Sequence, residues 1–430
     1  MTEHEAYALL DSALKHATAE HTELTLSGSA ESSTRYANNA ITQNIARSDV
    51  VLNIRSAFGQ RVGSVRVNRL DPGSVADAIR KAEGIARVAE PNTEFLPPVE
   101  PCATPRVESR DSAVAAASPD DRAKAVRAVI EWVESAGLTA AGSYATDATW
   151  VAFANSRGHR AWHEGTSARL VCTAIGPDSS GWAERFSWRR SDVDPVAAAE
   201  RAAAKALAAR APEAIEPNRY TVILEPAAVA EFLAFLLWSL DAKAADEGRS
   251  AFSGKLGERI LGENITLESR ASHPECPGWP FGPDGAPTPD VTWVRNGVLE
   301  NLAHTRYWAQ KSGRPYTGTP VNLLVSGGEA SLDELIASTE DGILVTRFWY
   351  IRFVDPMKLL LTGMTRDGLF RIRDGKIAGG LKNMRFNESP LRALNHVAAL
   401  GRPEVCGDYY GAFVPPMKIE GFTFTSGTAF

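Results

Sequence analysis

Apolar residues recur at helical spacing over Glu3 to Ala17, where Ala6, Leu9, Leu10, Ala13 and Leu14 share one stripe, so an amphipathic helix is expected to open the chain. The period then shortens to two. Glu23 to Ser27, Ser33 to Ile45, Val50 to Ala57 and Arg61 to Asn68 alternate apolar and polar residues around breaks at Gly28, Ser48-Asp49 and Gly59-Gln60, the pattern of an antiparallel meander. Asp71-Pro72-Gly73 ends it, and Ser74 to Ala89 returns to helical spacing. Residues 1–90 are thus expected to form a small antiparallel sheet with two helices.

Prolines at 91, 97, 98, 101, 105 and 119 interrupt all periodicity, which predicts an extended linker or surface strap over 91–118. Ser118-Pro119-Asp120-Asp121 is a strong helix start, with a cap, a proline in the first turn and acids at the positive end of the dipole. The middle region, 119–217, then predicts a helix to Ser135 and a long hairpin. Its strands are Thr149 to Ala154, His159 to His163 and Ser167 to Ile175, turning at Asn155-Ser156-Arg157-Gly158. A strand at Gly181 to Trp188 and an alanine-rich helix from Asp194 to Ala211 complete it.

In the remainder, 218–430, the strand Val222 to Leu224 meets a Glu225-Pro226 break and the apolar helix Val229 to Leu240. A glycine-punctuated loop, Gly248 to Gly257, and an irregular stretch, His273 to Gly282, come next. Hairpins are expected at Asn296-Gly297 and Asp374-Gly375, with strands over Gly342 to Phe353 and Leu369 to Arg373. A helix over Ser389 to Leu400 and a terminal strand region from Gly411 to Phe430 close the chain. The fold class expected is α+β: the small N-terminal sheet with two helices, and a larger C-terminal domain built on antiparallel sheet with flanking helices.

Composition narrows the function classes. The 430 residues carry a net charge of -6 with no dense Lys/Arg cluster, which argues against nucleic acid as a partner. No apolar run approaches the ~20 residues that span a bilayer, so no membrane association is expected. The four cysteines, Cys102, Cys172, Cys276 and Cys406, form no CxxC pair, and the acidic start Met1-Thr2-Glu3-His4-Glu5 is unlike a secretory signal; a cytoplasmic location is expected.

Local motifs for chemistry are sparse. His159 and His163 would share one face of a helix, but in a strand they stand ~13 Å apart, too far for one ion, and they read as partly exposed strand residues. No Gly-x-Ser-x-Gly elbow and no phosphate-binding glycine loop is present. Cys406 is a weak metal-ligand candidate and reads first as a small buried hydrophobe. Asn301 to Pro320 is rich in polar and aromatic side chains, which suits a ligand cleft and a buried polar network equally. His304, Arg306, Tyr307 and Thr317 are its substrate-cleft candidates, together with Ser250 and Phe252 of the glycine loop.

Several stretches in order resemble the TldD/PmbA family, whose catalytic branch consists of zinc peptidases. They are Ser33 to Asn39, Asn155 to Gly158, Gly181-Trp182, Arg249 to Glu258, Asn296 to Leu299, Thr317-Gly318 and Gly363 to Gly380 with Asn383. In that branch the apolar helix carries His-Glu-x-x-x-His, with a late cysteine as a further ligand. Here those positions fall near Leu233, Ala234 and Trp238, and only Cys406-Gly407 matches a ligand. A catalytic zinc needs about three protein ligands and an open position. The resemblance therefore implies the TldE/PmbA-like branch: no catalytic residue and no cofactor on this chain, and zinc in a TldD-like partner subunit. It further implies unfolded polypeptide or leader peptides as substrate. Two alternatives stand beside it. One is a self-sufficient metallohydrolase using Cys406 with His304 or His396; the other is a binding or regulatory protein such as a gyrase modulator.

Overall fold

The proline-rich segment divides the sequence, yet one sheet runs across it. In the computed structural model, which describes residues 1–407 and 411–428, α1 (Glu3–Leu14), β1 (His21–Ala37), β2 (Ala40–Phe58), β3 (Arg61–Val67) and α2 (Pro72–Val88) precede the strap. After it come α3 (Ser112–Ala115), α4 (Pro119–Ser135), β4 (Thr139–Asn155), β5 (Arg160–Ile175), β6 (Ser180–Ser187) and α5 (Pro195–Ala208). The strands pair in the order β3-β2-β1-β4-β5-β6, all antiparallel, and β1 meets β4 from Glu23 opposite Asn155 to Tyr36 opposite Gly142. The strands of 1–90 and of the middle region are therefore halves of one six-stranded sheet.

Alternation decides what each face of that sheet does. Leu24, Leu26, Leu52 and Ile54 lie under α1 and α2, while Ala140, Leu170 and Cys172 lie under α4 and α5. The opposite face carries Glu23, Thr25, Asn53 and Arg55, and its Phe153 packs against Phe281 of the C-terminal part. Asn38 and Asn39 turn the chain with φ of 52° and 58°, so the strand expected over Ser33 to Ile45 is split by a hairpin turn. Gly28 does not break β1; a Cβ there would sit 2.4 Å from the Trp150 ring.

The C-terminal part runs β7 (Arg219–Leu224), α6 (Pro226–Trp238), α7 (Ala242–Asp246), β8 (Leu267–Ser269), β9 (Val291–Arg295), β10 (Val298–Leu299), α8 (Arg306–Ser312), β11 (Leu323–Val325) and α9 (Leu332–Ala337). Then follow β12 (Asp341–Asp355), β13 (Leu360–Arg373), β14 (Lys376–Gly380), β15 (Met384–Glu388), α10 (Pro390–Ala393), β16 (Val397–Leu400), β17 (Glu404–Cys406), β18 (Ala412–Val414) and β19 (Met417–Gly427). One sheet is ordered β10-β9-β8-β11-β18-β17; the other, β12-β7-β19-β15-β13-β14, also pairs β12 with β13 and so closes on itself. Most pairs are antiparallel, but β7 with β12 and β11 with β18 are parallel. Pro226 occupies the start of α6, and ten of the next eleven residues are buried, so the helix is apolar all round because it is enclosed all round. Its Phe232 packs on Phe348, Phe386 and Phe422 of the closed sheet.

The helix expected over Ser389 to Leu400 is instead α10, one 3₁₀ turn at Leu394–His396, and β16, which pairs with β19. Apolar residues at Val397 and Leu400 fit either period, and the free edge of β19 decides the outcome. Of the terminal strand region, Ala429 and Phe430 lie outside the described residues. Among the described residues no helix is long and apolar enough to cross a membrane.

Candidate functional site

A groove of about 1440 Å³ opens between the bare face of the first sheet and the C-terminal part. Its floor is polar, with Thr25, Ser27, Asn53, Arg55, Ser64 and Arg66, and its walls are aromatic, with Trp279, Phe281, Tyr307 and Tyr316. The strap forms one rim. Asn155 donates to the Val99 carbonyl at 2.8 Å, Arg157 to that of Pro98 at 3.1 Å, and Arg306 to that of Pro97 at 2.9 Å, which fastens the extended part of the strap, whose last residues form the short α3. Burial raises the Glu23 carboxyl pKa despite its ion pair with Arg55, and burial pushes the Tyr316 phenol up to about 12.

The cleft candidates divide. Arg306 and Tyr307 line the groove, and Arg306 is held by Asp284 at 3.2 Å. His304 and Thr317 lie buried and form a polar network instead: Thr317 Oγ1 accepts from His304 N at 2.7 Å and donates to the Leu302 carbonyl at 2.7 Å. Ser250 and Phe252 are not among the groove residues. Ser250 Oγ bonds the Ser239 carbonyl at 3.1 Å, tying the glycine loop to the end of α6, and Phe252 is fully buried in the core. Glu23, Arg55, Trp279 and Asp284 were not candidates from sequence, and Tyr316 lay in the polar and aromatic stretch without being singled out. Alternation shows that a strand has two faces but not that its polar face meets another part of the chain.

His159 and His163 stand outside any metal arrangement, and both are buried, which corrects the expectation of partly exposed residues. His159 Nε2 lies 2.8 Å from the Gly285 carbonyl and its Nδ1 accepts from Cys102 N at 3.4 Å. His163 Nε2 is 3.2 Å from Ser109 Oγ and its ring meets the Trp279 ring edge-on at 5.0 Å. Burial lowers the His163 pKa to about 4. Both rings pin the strap to the sheet.

Cys406, at the end of β17, lies in a second cavity of about 330 Å³ lined by β6, α5 and the first turn of α6. Among the described residues, every carboxylate that lines it already has a cation: Glu184 pairs with Arg169 at 2.5 Å, Asp192 and Glu275 with Arg189 at 2.7 and 2.8 Å, and Glu404 with Arg201 at 3.4 Å. Glu225 is held by both Arg201 and Lys205 at 2.7 Å. Burial lowers the Lys205 pKa to about 8 against the pull of Glu225. Burial alone would raise that of Glu225, but the two cations hold it below the usual range. Burial also raises the Cys406 thiol well above its ordinary value.

These groups do not fit a catalytic zinc. No histidine is among the described residues that line the cavity; His304 Nδ1 bonds the Leu302 carbonyl at 2.8 Å, and His396 is exposed in the 3₁₀ turn after α10 with Nδ1 at 2.9 Å from the Arg392 carbonyl. Leu233 and Ala234 are packed in the apolar core, and Trp238 meets the Phe235 ring edge-on at 4.7 Å. Glu231 accepts from Phe348 N at 2.6 Å and pairs with Arg347 at 3.2 Å. Among the described residues no three His, Cys, Asp or Glu side chains are grouped to hold a metal ion.

Two family models match the chain: the PmbA/TldA metallopeptidase central domain over residues 109–210 and the PmbA/TldA metallopeptidase C-terminal domain over residues 217–426. A metalloprotease of Methanothermobacter thermautotrophicus is 25% identical over 280 residues, 58% of this chain and 59% of that relative, so the match spans less than two thirds of its length. The crystal structure of TldE from Thermococcus kodakarensis superimposes with a TM-score of 0.88 at 20% identity, covering 98% of this chain and 99% of that one. A Thermotoga maritima protein, described as a proposed modulator of a DNA gyrase, superimposes with a TM-score of 0.87 at 18% identity over 98% and 100% of the two chains. At these identities the superpositions carry the fold alone.

Proposed function

The chain belongs to the PmbA/TldD metallopeptidase family, and we propose that within it this protein is the metal-free subunit of a heteromeric zinc peptidase, paired with a TldD-like chain that carries the zinc. The observation that carries the reading is the cavity around Cys406. The one side chain that matches a family metal ligand is surrounded by carboxylates already committed to Arg169, Arg189, Arg201 and Lys205, and no histidine is among the described residues that line the cavity. Displacing the pairs around Glu225 to admit a cation would leave the nearly buried Lys205 and the partly buried Arg201 uncompensated, at a cost of several kcal/mol. The same observation counts against the self-sufficient hydrolase, which needs His304 or His396 at Cys406.

What this subunit contributes is a surface for the substrate. The groove has a polar strand-lined floor and aromatic walls, which suits an extended chain: backbone groups find donors and acceptors in Asn53, Arg55 and Arg66, and apolar side chains find Trp279, Tyr307 and Tyr316. An unfolded polypeptide or a leader peptide presents such a chain, whereas a folded protein does not. The test is co-expression with a His-Glu-x-x-x-His relative from the same genome, followed by cleavage of an unfolded substrate. Cleavage that needs both chains is expected. Equal cleavage by the relative with and without this chain would overturn the reading.

A further inference from the structure

The hairpin of β12 and β13 ends in large apolar side chains that the protein leaves in water. Trp349, Tyr350, Phe353, Val354 and Met357 are all exposed, Tyr350 at 61%, and Trp238 at the end of α6 adjoins them through Phe235, whose ring lies 5.1 Å from that of Phe353. Scattered apolar residues at a surface are ordinary, but a contiguous aromatic group of this kind marks an interaction surface.

The backbone supports the same conclusion independently. The pairing of β12 with β13 shifts register between Trp349 and Arg352, and inside that bulge Tyr350 adopts φ 57°, a conformation that a bulky residue takes only under constraint. The bulge turns the most exposed aromatic ring outward instead of letting it alternate back toward the sheet.

Charge identifies the kind of partner. Arg352 lies 4.1 Å over the Tyr350 ring and Arg366 lies 4.4 Å over Trp349, while Lys358 stands at the turn and Arg385 reaches Met364, the residue opposite Trp349. Against these four cations stand, among the described residues, the paired acids Asp355 at 3.4 Å from Lys358 and Asp367 at 3.4 Å from Arg366. A two-fold contact of this surface with a second copy would bring the surplus cations together, which opposes self-association. Trp, Tyr, Phe, Met and Arg are the residues enriched at the centres of protein interfaces.

We infer that the β12–β13 hairpin tip is the docking surface for a different protein chain bearing an acid-rimmed apolar socket, and that this chain is the metal-bearing subunit. The inference rests on the subunit reading above and goes beyond it by assigning the surface. It is tested by measuring the affinity of the full chain for the His-Glu-x-x-x-His relative, using Tyr350→Gly, which relieves the positive φ, and Arg352→Glu, with Ile85→Ser on α2 as a control at another exposed apolar position. Circular dichroism verifies that each variant is folded. A dissociation constant raised at least tenfold by each hairpin variant and unchanged by the control is expected. Unchanged affinity in folded hairpin variants would overturn the surface and leave the subunit reading standing. No binding by the unaltered chain would overturn both, and a homodimer that Tyr350→Gly dissolves would replace the partner by a second copy.

Discussion

At the scale of single residues, burial decides which ionisable groups work and which only hold. His163 is 7% exposed, sits against Ser109 and Trp279, and takes its proton only near pH 4, against an ordinary value of 6.5. Above that ordinary value the ring is neutral whether the chain is folded or not, and it contributes nothing to the pH dependence. Between about 6.5 and about 4 the unfolded chain binds the proton and the folded chain does not. Stability therefore falls as pH falls through that window, by roughly 3 kcal/mol in all. His163→Phe removes this contribution, so urea unfolding of the variant at about pH 7 and about pH 4.5 should show a smaller difference than the parent; an unchanged difference would assign the acid sensitivity elsewhere. Glu225 belongs to the same class. Its carboxylate is 4% exposed and shared by Arg201 and Lys205, so Glu225→Leu should cost about 3–5 kcal/mol in chemical denaturation by leaving Lys205 without a carboxylate and Arg201 with Glu404 alone.

At the scale of elements, close approach and enclosure explain what the local pattern predicts and what it misses. Gly181 in β6 faces α5 so closely that an added Cβ would meet the Ala202 carbonyl at 2.2 Å and the Ala206 nitrogen at 2.4 Å. The alanine stripe of α5 and this glycine together bring helix and sheet into contact. Gly181→Ala should push α5 away and cost roughly 1–3 kcal/mol, read as a lowered Tm. The turns at Asn296-Gly297 and Asp374-Gly375 were legible in the sequence because their positive φ angles are a local demand that Asn, Asp and Gly meet. The equivalent demand at Asn38-Asn39 was hidden inside an unbroken alternation. The segment after Ser389 was misread because its fate depends on β19, which no local window contains. Leu233 and Ala234 extend the point to function: they face the core, while the cavity at Cys406 is lined by Pro226 and Ala227 of the first helical turn. Installing His-Glu-x-x-x-His as Leu233→His, Ala234→Glu and Trp238→His should cost about 2–5 kcal/mol by burying polar groups, without creating a stoichiometric zinc site. Tight zinc binding by that variant would show that the helix keeps a latent metal geometry.

At the scale of the whole molecule, the first sheet turns one face to four helices and the other to the C-terminal part, and the groove is the space between. Arg306 and Tyr307 were accessible from sequence because they stand in a polar and aromatic stretch. Glu23 and Arg55 were not, since their place in the groove depends on how strands far apart in the chain meet. The family resemblance points to the absence at Leu233, Ala234 and Trp238; the paired carboxylates around Cys406 are the structural observation on which the metal-free reading rests. The central claim is that zinc belongs to the partner and not to this chain. It is tested most directly by metal analysis of the two chains purified separately and as a complex. The account predicts stoichiometric zinc in the His-Glu-x-x-x-His relative and in the complex, at one ion per relative, with only trace metal in this chain alone; one zinc per copy of this chain purified alone, lost on Cys406→Ala, would contradict it.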